Sequence, residues 1–131
     1  MGILSITMDT HALLWYIDEP LKYKLSPIAL EAIKKAEKDG IIYISAIVLM
    51  EMLDLIEKKR SSISFDKLMM MIQKNESYQI VPIDTDILKK TIQLKGLEIH
   101  DRLIIATAIL TDTVIVCRDR KIRTMGFNVL W

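Results

Sequence analysis

Four carboxylates stand at the ends of apolar runs or inside them: Asp9, Glu51, Asp101 and Asp119. A carboxylate that is buried without a partner loses its hydration, and it normally takes up a proton rather than keep its charge. If one fold brings all four together, their mutual repulsion has to be balanced by a cation. For a set of donors made only of oxygen, the simplest candidates are Mg²⁺ and Mn²⁺.

Each acid also has a simpler explanation. Asp9, Asp101 and Asp119 all stand where a helix is predicted to begin, and aspartate is a preferred residue at helix N-caps. Glu51 is different, because apolar residues flank it on both sides in the middle of a predicted helix. It is neither a cap nor part of a solvated stripe, so the remaining structural explanation is a partly exposed helix edge.

Basic and hydroxyl side chains near these acids have two interpretations each. The run 118–123 places four cations around Asp119, either as a solvated helix turn or as guanidinium groups that hold phosphates. Ser45 is interpreted as a helix cap or as a group that orients bound water. His11 and His100 are expected to be neutral and locally hydrogen-bonded, because two histidines and one cysteine make no zinc set.

Segments with strand and helix patterns alternate along the chain. Strands are predicted over 3–8, 41–44, 79–82, 113–117 and 127–130, with helices over 10–17, 27–38, 46–59, 65–72, 85–95 and 101–110. Crossovers of this length predict an α/β fold, with three α/β/α layers around a mostly parallel sheet. The site is then expected outside the carboxyl ends of the strands, where Asp9 and Asp119 lie.

Composition restricts the class of protein. The 131 residues, 51% of them hydrophobic, predict one packed domain over 1–131 rather than a disordered chain. A net charge of +1 means that any nucleic-acid binding has to come from a local patch. The single cysteine excludes an internal disulfide. Because no basic segment precedes the first apolar run, and polar residues interrupt the longest one, we expect a soluble, cytoplasmic protein without a membrane span.

Together, the segments resemble a PIN domain, and specifically a VapC-like toxin ribonuclease. The resemblance covers nearly the whole chain, and it is carried by the order and spacing of its motifs. They are Met8-Asp9-Thr10-His11-Ala12-Leu13-Leu14-Trp15, the segment Ser45 to Glu51, Asp101-Arg102-Leu103-Ile104-Ile105-Ala106-Thr107-Ala108, Val116-Cys117-Arg118-Asp119 and Val129-Leu130-Trp131. Cys117 departs from the pattern, because the family often has a small hydroxyl residue at this position.

The resemblance implies a Mg²⁺- or Mn²⁺-dependent endoribonuclease that leaves a 5′-phosphate and a 3′-hydroxyl. The family's metal-binding acids fall on Asp9, Glu51 and Asp101, and the acid that is commonly fourth falls on Asp119. Three arginines and one serine are expected to position the RNA: Arg102, Arg118, Arg120 and Ser45. The implied partners are RNA, a VapB-like antitoxin and a second copy of the chain, for which the helices over 49–56 and 68–72 are expected to offer apolar stripes.

Three alternatives stay open at this level. A signalling receiver domain also places an aspartate beside Mg²⁺ at a strand end, but it needs an acidic pair there, and Asp9 has no acidic neighbour. A PIN-type RNA-processing nuclease would have the same chemistry without a toxin role. A non-catalytic PIN-like module would bind RNA or protein without cutting, although retention of all four acids argues against it.

Overall fold

A computed structural model describes residues 4–131, which form a five-stranded sheet covered by helices. The strands are β1 (Ile6–Met8), β2 (Ile42–Ser45), β3 (Tyr78–Val81), β4 (Val114–Val116) and β5 (Val129–Leu130). Their spatial order is β3-β2-β1-β4-β5, and every neighbouring pair is parallel. The predicted three-layer α/β/α fold is therefore confirmed. The predicted first strand began at Ile3, which lies outside the described residues, and β1 begins at Ile6.

Seven α-helices and one 3-10 helix connect and cover the strands in the described part of the chain. They are α1 (Thr10–Ile17), the 3-10 helix (Glu19–Lys24), α2 (Pro27–Asp39), α3 (Ala46–Glu57), α4 (Phe65–Lys74), α5 (Thr85–Gln93), α6 (Ile99–Thr111) and α7 (Arg120–Thr124). The six predicted helices are present. The 3-10 helix was not predicted, and α7 corresponds to the helix turn that was one interpretation of the basic run. None of the helices described for residues 4–131 has both the length and the apolar character needed to cross a bilayer.

Side-chain caps fix where most of the helices begin. Ser26 accepts a hydrogen bond from the Ala29 amide at 3.0 Å, and Pro27 follows as the first helical residue. Asp84 caps α5 in the same way, at 3.0 Å from the Ile87 amide nitrogen. For α6 the predicted start at Asp101 was late by two residues. Glu98 occupies the N-cap position, so the Asp101 side chain projects from the first turn instead of closing the helix end.

The register of the sheet places the ends of its central strands side by side. Ile6 pairs with Ile42 on one side and with Val114 on the other, and all three strands run in the same direction. Helices α2 and α6 both contact β1 and β2, and they enclose a core that is built largely from the strand residues. The carboxyl edge of β1 and β4 is thus a fixed platform from which Asp9 and the residues after Val116 emerge.

Candidate active site

The four predicted acids line one cleft at the carboxyl edge of the sheet. Asp9 follows β1, Glu51 comes from the middle of α3, Asp101 from the first turn of α6, and Asp119 from the segment after β4. The cleft has a volume of about 440 Å³, and Thr10, His11, Trp15, Ile104, Arg118 and Ile122 complete its walls. Acids that are widely separated in sequence therefore meet because parallel strands end at the same edge.

Asp9 is the most enclosed of the four carboxylates. Its Oδ1 accepts a hydrogen bond from the Ala12 amide at 2.8 Å, so it caps α1 as the simpler interpretation predicted. Burial raises its pKa to about 7, and the charges of Asp101 and Glu51 add to that rise against the opposing effect of the Ala12 amide and the Cys117 thiol. The capping role and the place in the acidic cleft belong to one side chain.

Glu51 is held by two groups from neighbouring helices. The Thr10 hydroxyl donates to its Oε1 at 2.7 Å, and the His100 Nδ1 lies 3.4 Å from its Oε2. The Glu51 side chain is 30% exposed, as expected for a helix-edge residue that opens onto the cleft. Two partners on one carboxylate restrict its rotamers, which is what a fixed ligand in a binding site requires.

Asp101 and Asp119 form the outer part of the acidic cluster. Burial raises the pKa of Asp101, and the charges of Asp119, Glu98 and Glu51 raise it further, while His100 lowers it. Asp119 is exposed, and its Oδ1 accepts from the Lys121 amide at 2.8 Å at the start of α7. One oxygen of Asp119 is thus committed to a cap, and the other is free of that hydrogen bond.

Cys117 lies beneath the cleft and links two of its acids. Its sulfur accepts from the Asp119 amide at 3.2 Å, and its thiol interacts with the Asp9 carboxylate. Burial raises the pKa of the thiol to about 12, and the charge of Asp9 contributes to that rise. The residue therefore stays neutral, and it is a positioning partner for carboxylates rather than a nucleophile.

The chemistry of the donors fits a hard divalent cation. Carboxylate oxygens line the cleft, and a positive charge there would favour the ionised form of Asp9, whose pKa is raised by burial and further by the charges of Asp101 and Glu51. Among residues 4–131, no three carboxylate, histidine or cysteine side chains are close enough together to coordinate a single ion directly. Mg²⁺ usually retains several water molecules and takes only one or two protein carboxylates, so the wider spacing suits a hydrated ion.

A protein-family model matches the part of the chain that carries the four acids. The family model of the PIN domain matches residues 6–128, which include all four acids and the first four of the five strands. The chain belongs to the PIN domain family. No curated protein sequence matches it.

Solved structures of toxin–antitoxin proteins share the fold of this PIN domain. A chain of VapBC2 from Rickettsia felis, bound to a promoter DNA fragment, aligns with a TM-score of 0.67 at 16% identity, covering 96% of each chain. A toxin–antitoxin complex from Klebsiella pneumoniae gives 0.64 at 24%, covering 88% of each. VapC20 of Mycobacterium tuberculosis, a sarcin–ricin loop cleaving toxin, gives 0.65 at 17%, covering 93% of this chain and 95% of that one.

The residues predicted to position RNA are dispersed in this PIN domain. Arg118 lines the cleft, and Arg120 is exposed at the start of α7. The Arg102 Nε donates to the Leu97 carbonyl at 2.8 Å, so its guanidinium is tied to the loop before α6. Ser45 is only 1% exposed and its hydroxyl caps α3. The assignment of Ser45 to RNA contact is therefore corrected to a structural cap, because an RNA strand cannot reach a buried hydroxyl.

Several residues of the site were not predicted from the sequence. Thr10 holds Glu51 across 41 residues of chain, and His100 was expected to have only local partners. Trp15 forms part of the cleft wall, although its sequence context indicated no role beyond its place in the Met8–Trp15 motif. Thr10, directly after Asp9 in the first turn of α1, carried a positional signal, whereas the contacts of His100 and Trp15 depend on the fold.

Proposed function

We propose that this PIN domain is a divalent-metal-dependent endoribonuclease. The observation that carries the proposal is the convergence of four acids from four segments in one cleft, where burial raises the pKa of Asp9 and of Asp101 and the charges of neighbouring acids raise both further. A fold that keeps such a costly cluster is best explained by a bound cation. A receiver domain would leave Glu51 and its two partners without a role.

Asp9, Glu51 and Asp101 would hold one or two Mg²⁺ or Mn²⁺ ions, with Asp119 completing the set. The ion would supply an activated water and charge neutralisation at the attacked phosphate. The chain's own groups fix the acids: the Ala12 amide and the Cys117 thiol at Asp9, and Thr10 and His100 at Glu51. No protein nucleophile is needed, in keeping with the high pKa of the Cys117 thiol.

RNA with an accessible backbone is the proposed substrate. The site is a compact cleft, and base-paired A-form RNA presents its phosphates in a geometry that suits broad surfaces better than a narrow acidic cleft. Single-stranded or looped RNA is therefore favoured. The sarcin–ricin loop cleavage of the similar VapC20 supports the same substrate class.

A toxin role with an antitoxin partner is the second part of the proposal. It is supported by the similar fold of the Rickettsia and Klebsiella toxin–antitoxin chains. An antitoxin arginine that enters the acidic cleft would replace the cation and block RNA. A homodimer is proposed with it. Leu49, Leu68 and Ile72 are buried, so Met50 and Met70 are the most exposed apolar side chains of the two expected stripes.

Cleavage of labelled RNA by the purified protein tests the enzymatic proposal. We expect products with 5′-phosphate ends in Mg²⁺ or Mn²⁺ and none in EDTA. Binding of RNA without any cleavage in either metal would support a non-catalytic module instead. Cleavage without growth arrest on expression, and without an antitoxin encoded next to the gene, would support the processing nuclease.

Light scattering across micromolar concentrations tests the dimer separately. We expect a mass of twice 15.1 kDa. A monomer at every concentration would contradict the dimer and would weaken the antitoxin proposal with it.

A further inference from the structure

Two cations from distant parts of the chain lie over one indole ring beside the acidic cleft. The Lys24 Nζ is 5.7 Å from the centroid of the Trp15 ring, and the Arg118 guanidinium carbon is 6.0 Å from it. Lys24 ends the 3-10 helix, whereas Arg118 follows β4. Contacts of this kind hold a long basic side chain near one position without neutralising it.

Other aromatic rings support this arrangement from the side. The Trp131 ring packs against Trp15 edge-on at 5.9 Å, and the His11 ring lies 5.5 Å from it at an angle of 44°. Trp15 is only 8% exposed, while His11 is exposed and lines the cleft. Trp15 is therefore the fixed base of the arrangement, and His11 presents a free aromatic surface at the cleft wall.

The charges of Lys24 and Arg118 are not used within the described part of the chain. In residues 4–131, neither has a carboxylate within 4 Å. Other lysines do pair: Lys22 lies 3.2 Å from Glu19 and Lys58 lies 2.9 Å from Asp54. Two unpaired cations held next to a cluster of acids can attract an anion that the acids alone would repel.

We propose that Lys24 and Arg118, resting on Trp15, form a phosphate-binding surface for the RNA strand on the α1 side of the cleft. We name these three residues the indole platform. That the ligand is RNA rests on the proposed nuclease function. The indole platform adds the path of the RNA strand, which would run from the carboxylates past Arg118 toward Lys24. A polyanion that passes four carboxylates needs cations at its next phosphates.

RNA fits the platform better than an acidic protein segment does. Lys24 and Arg118 would attract either polymer, but the exposed His11 ring adds a surface on which an unpaired base can stack. An acidic peptide could use that ring only where it carries an aromatic side chain at the matching position, whereas every nucleotide of RNA carries a base. The neighbouring Arg118 also lines the cleft itself, so its phosphate contact is continuous with the reacting strand.

The salt dependence of RNA binding tests the platform. The probe is a fluorescein-labelled single-stranded RNA of about 12 nucleotides, bound in Ca²⁺ and checked for integrity on a gel. We expect Lys24→Gln and Arg118→Gln each to weaken binding several-fold. Each should also reduce the slope of log Kd against log salt by about 0.7, the value for one lost phosphate contact with a single strand. Lys89→Gln, an exposed lysine of α5 that does not line the cleft, is the matched control and should behave as wild type.

A spectroscopic variant reports on the platform directly. Trp131→Phe leaves Trp15 as the only tryptophan, and RNA should change its emission when phosphates engage the two cations. Trp15→Phe keeps an aromatic ring and should weaken binding less than Lys24→Gln does. Thermal unfolding of each variant separates loss of binding from loss of the fold.

The platform and the nuclease can fail independently. If Lys24→Gln and Arg118→Gln keep the wild-type affinity and salt slope, the platform is overturned, whether or not the protein cleaves RNA; an acidic protein segment then becomes the candidate occupant. If both variants lower the slope while the wild type cuts no RNA in Mg²⁺ or Mn²⁺, the platform stands and the nuclease function falls.

Discussion

Two regions of this PIN domain pack carboxylates against protein, and they do so in opposite ways. In the first, Glu37 of α2 accepts hydrogen bonds from the hydroxyls of Tyr16 at 3.0 Å and Tyr78 at 2.7 Å. This connects α1, α2 and β3 through one side chain. Burial raises the pKa of Tyr16 to about 12 and also raises the pKa of Tyr78, and Glu37 adds to both shifts, so both partners remain hydroxyl donors.

In the acidic cleft, carboxylates also face the charges of other carboxylates. Asp9 has one amide and one thiol as donors, and it faces the charges of Asp101 and Glu51. Two hydroxyl donors hold the Glu37 carboxylate, whereas Asp9 and Asp101 also face the charges of other acids, which a cation would neutralise. The first arrangement stabilises the fold, and the second gives up stability in exchange for the capacity to bind a cation.

The largest effect on the cleft is expected from Asp9→Asn. The amide keeps the cap on α1 but removes the charge that the cation needs. We expect RNA cleavage to fall by more than the roughly 10–100-fold that loss of a partner in the outer coordination sphere typically costs. Initial rates in Mn²⁺ measure this. Asp84→Asn, the same change at the cap of α5, should cleave at the wild-type rate, and wild-type activity of Asp9→Asn would exclude it as a ligand.

A smaller loss is expected at the outer edge of the cluster. Asp119 is exposed, and one of its carboxylate oxygens accepts a hydrogen bond from the Lys121 amide. We therefore expect Asp119→Asn to reduce cleavage by about tenfold without abolishing it. Raising Mn²⁺ should restore part of the activity, because mass action refills a weakened site. If Asp119→Asn is as inactive as Asp9→Asn at every Mn²⁺ concentration, the four acids do not differ as their burial indicates.

Much of the fold that positions the acidic cleft can be predicted from the sequence. Ser26-Pro27 and Asp84 mark helix starts through local chemistry, and apolar runs mark the strands, so the order of elements and the edge that carries Asp9 follow from neighbouring residues. Glu51 is identifiable because a charge among apolar neighbours in a helix has no local explanation. In each case the signal lies within a few residues of the position.

What the sequence does not reveal depends on contacts between distant segments. The hydroxyl of Thr10 on Glu51 and the pair of cations on Trp15 exist only because strands and helices bring remote residues together. Glu37 is an ordinary helix glutamate by pattern, and nothing local indicates its two tyrosine partners. Ser45 was assigned to RNA as well as to a cap, and only its burial decides between them.

The stability of the metal-free protein should depend on pH through Asp9. Its pKa in the folded state is about 7, above its ordinary value of 3.8, so the folded protein holds this proton more tightly than the unfolded chain does. The free energy of unfolding should therefore fall as the pH rises from about 4 to about 7 and then level off. We expect Asp9→Asn to remove this decline and to gain about 1–3 kcal/mol at pH 8 in EDTA. Denaturant unfolding at pH 5 and pH 8 measures both effects, and a large loss of stability in Asp9→Asn would contradict the account of the cleft.

The same chemical change at Glu37 should have the opposite sign. Glu37→Gln replaces one of the two oxygens that accept tyrosine hydroxyls with an NH₂ group, so Tyr16 or Tyr78 has to turn its hydroxyl or lose a partner. We expect the free energy of unfolding to fall by about 1–2 kcal/mol, because a hydrogen bond to a charged acceptor is lost at a half-buried site. Cleavage of RNA should be unchanged, since none of these residues lines the cleft. Glu31→Gln, at an exposed position of the same helix, is the control and should unfold as wild type. If Glu37→Gln is as stable as Glu31→Gln, or as stabilised as Asp9→Asn in EDTA, then the two tyrosine donors do not stabilise the charge of Glu37 and the contrast between the two regions fails.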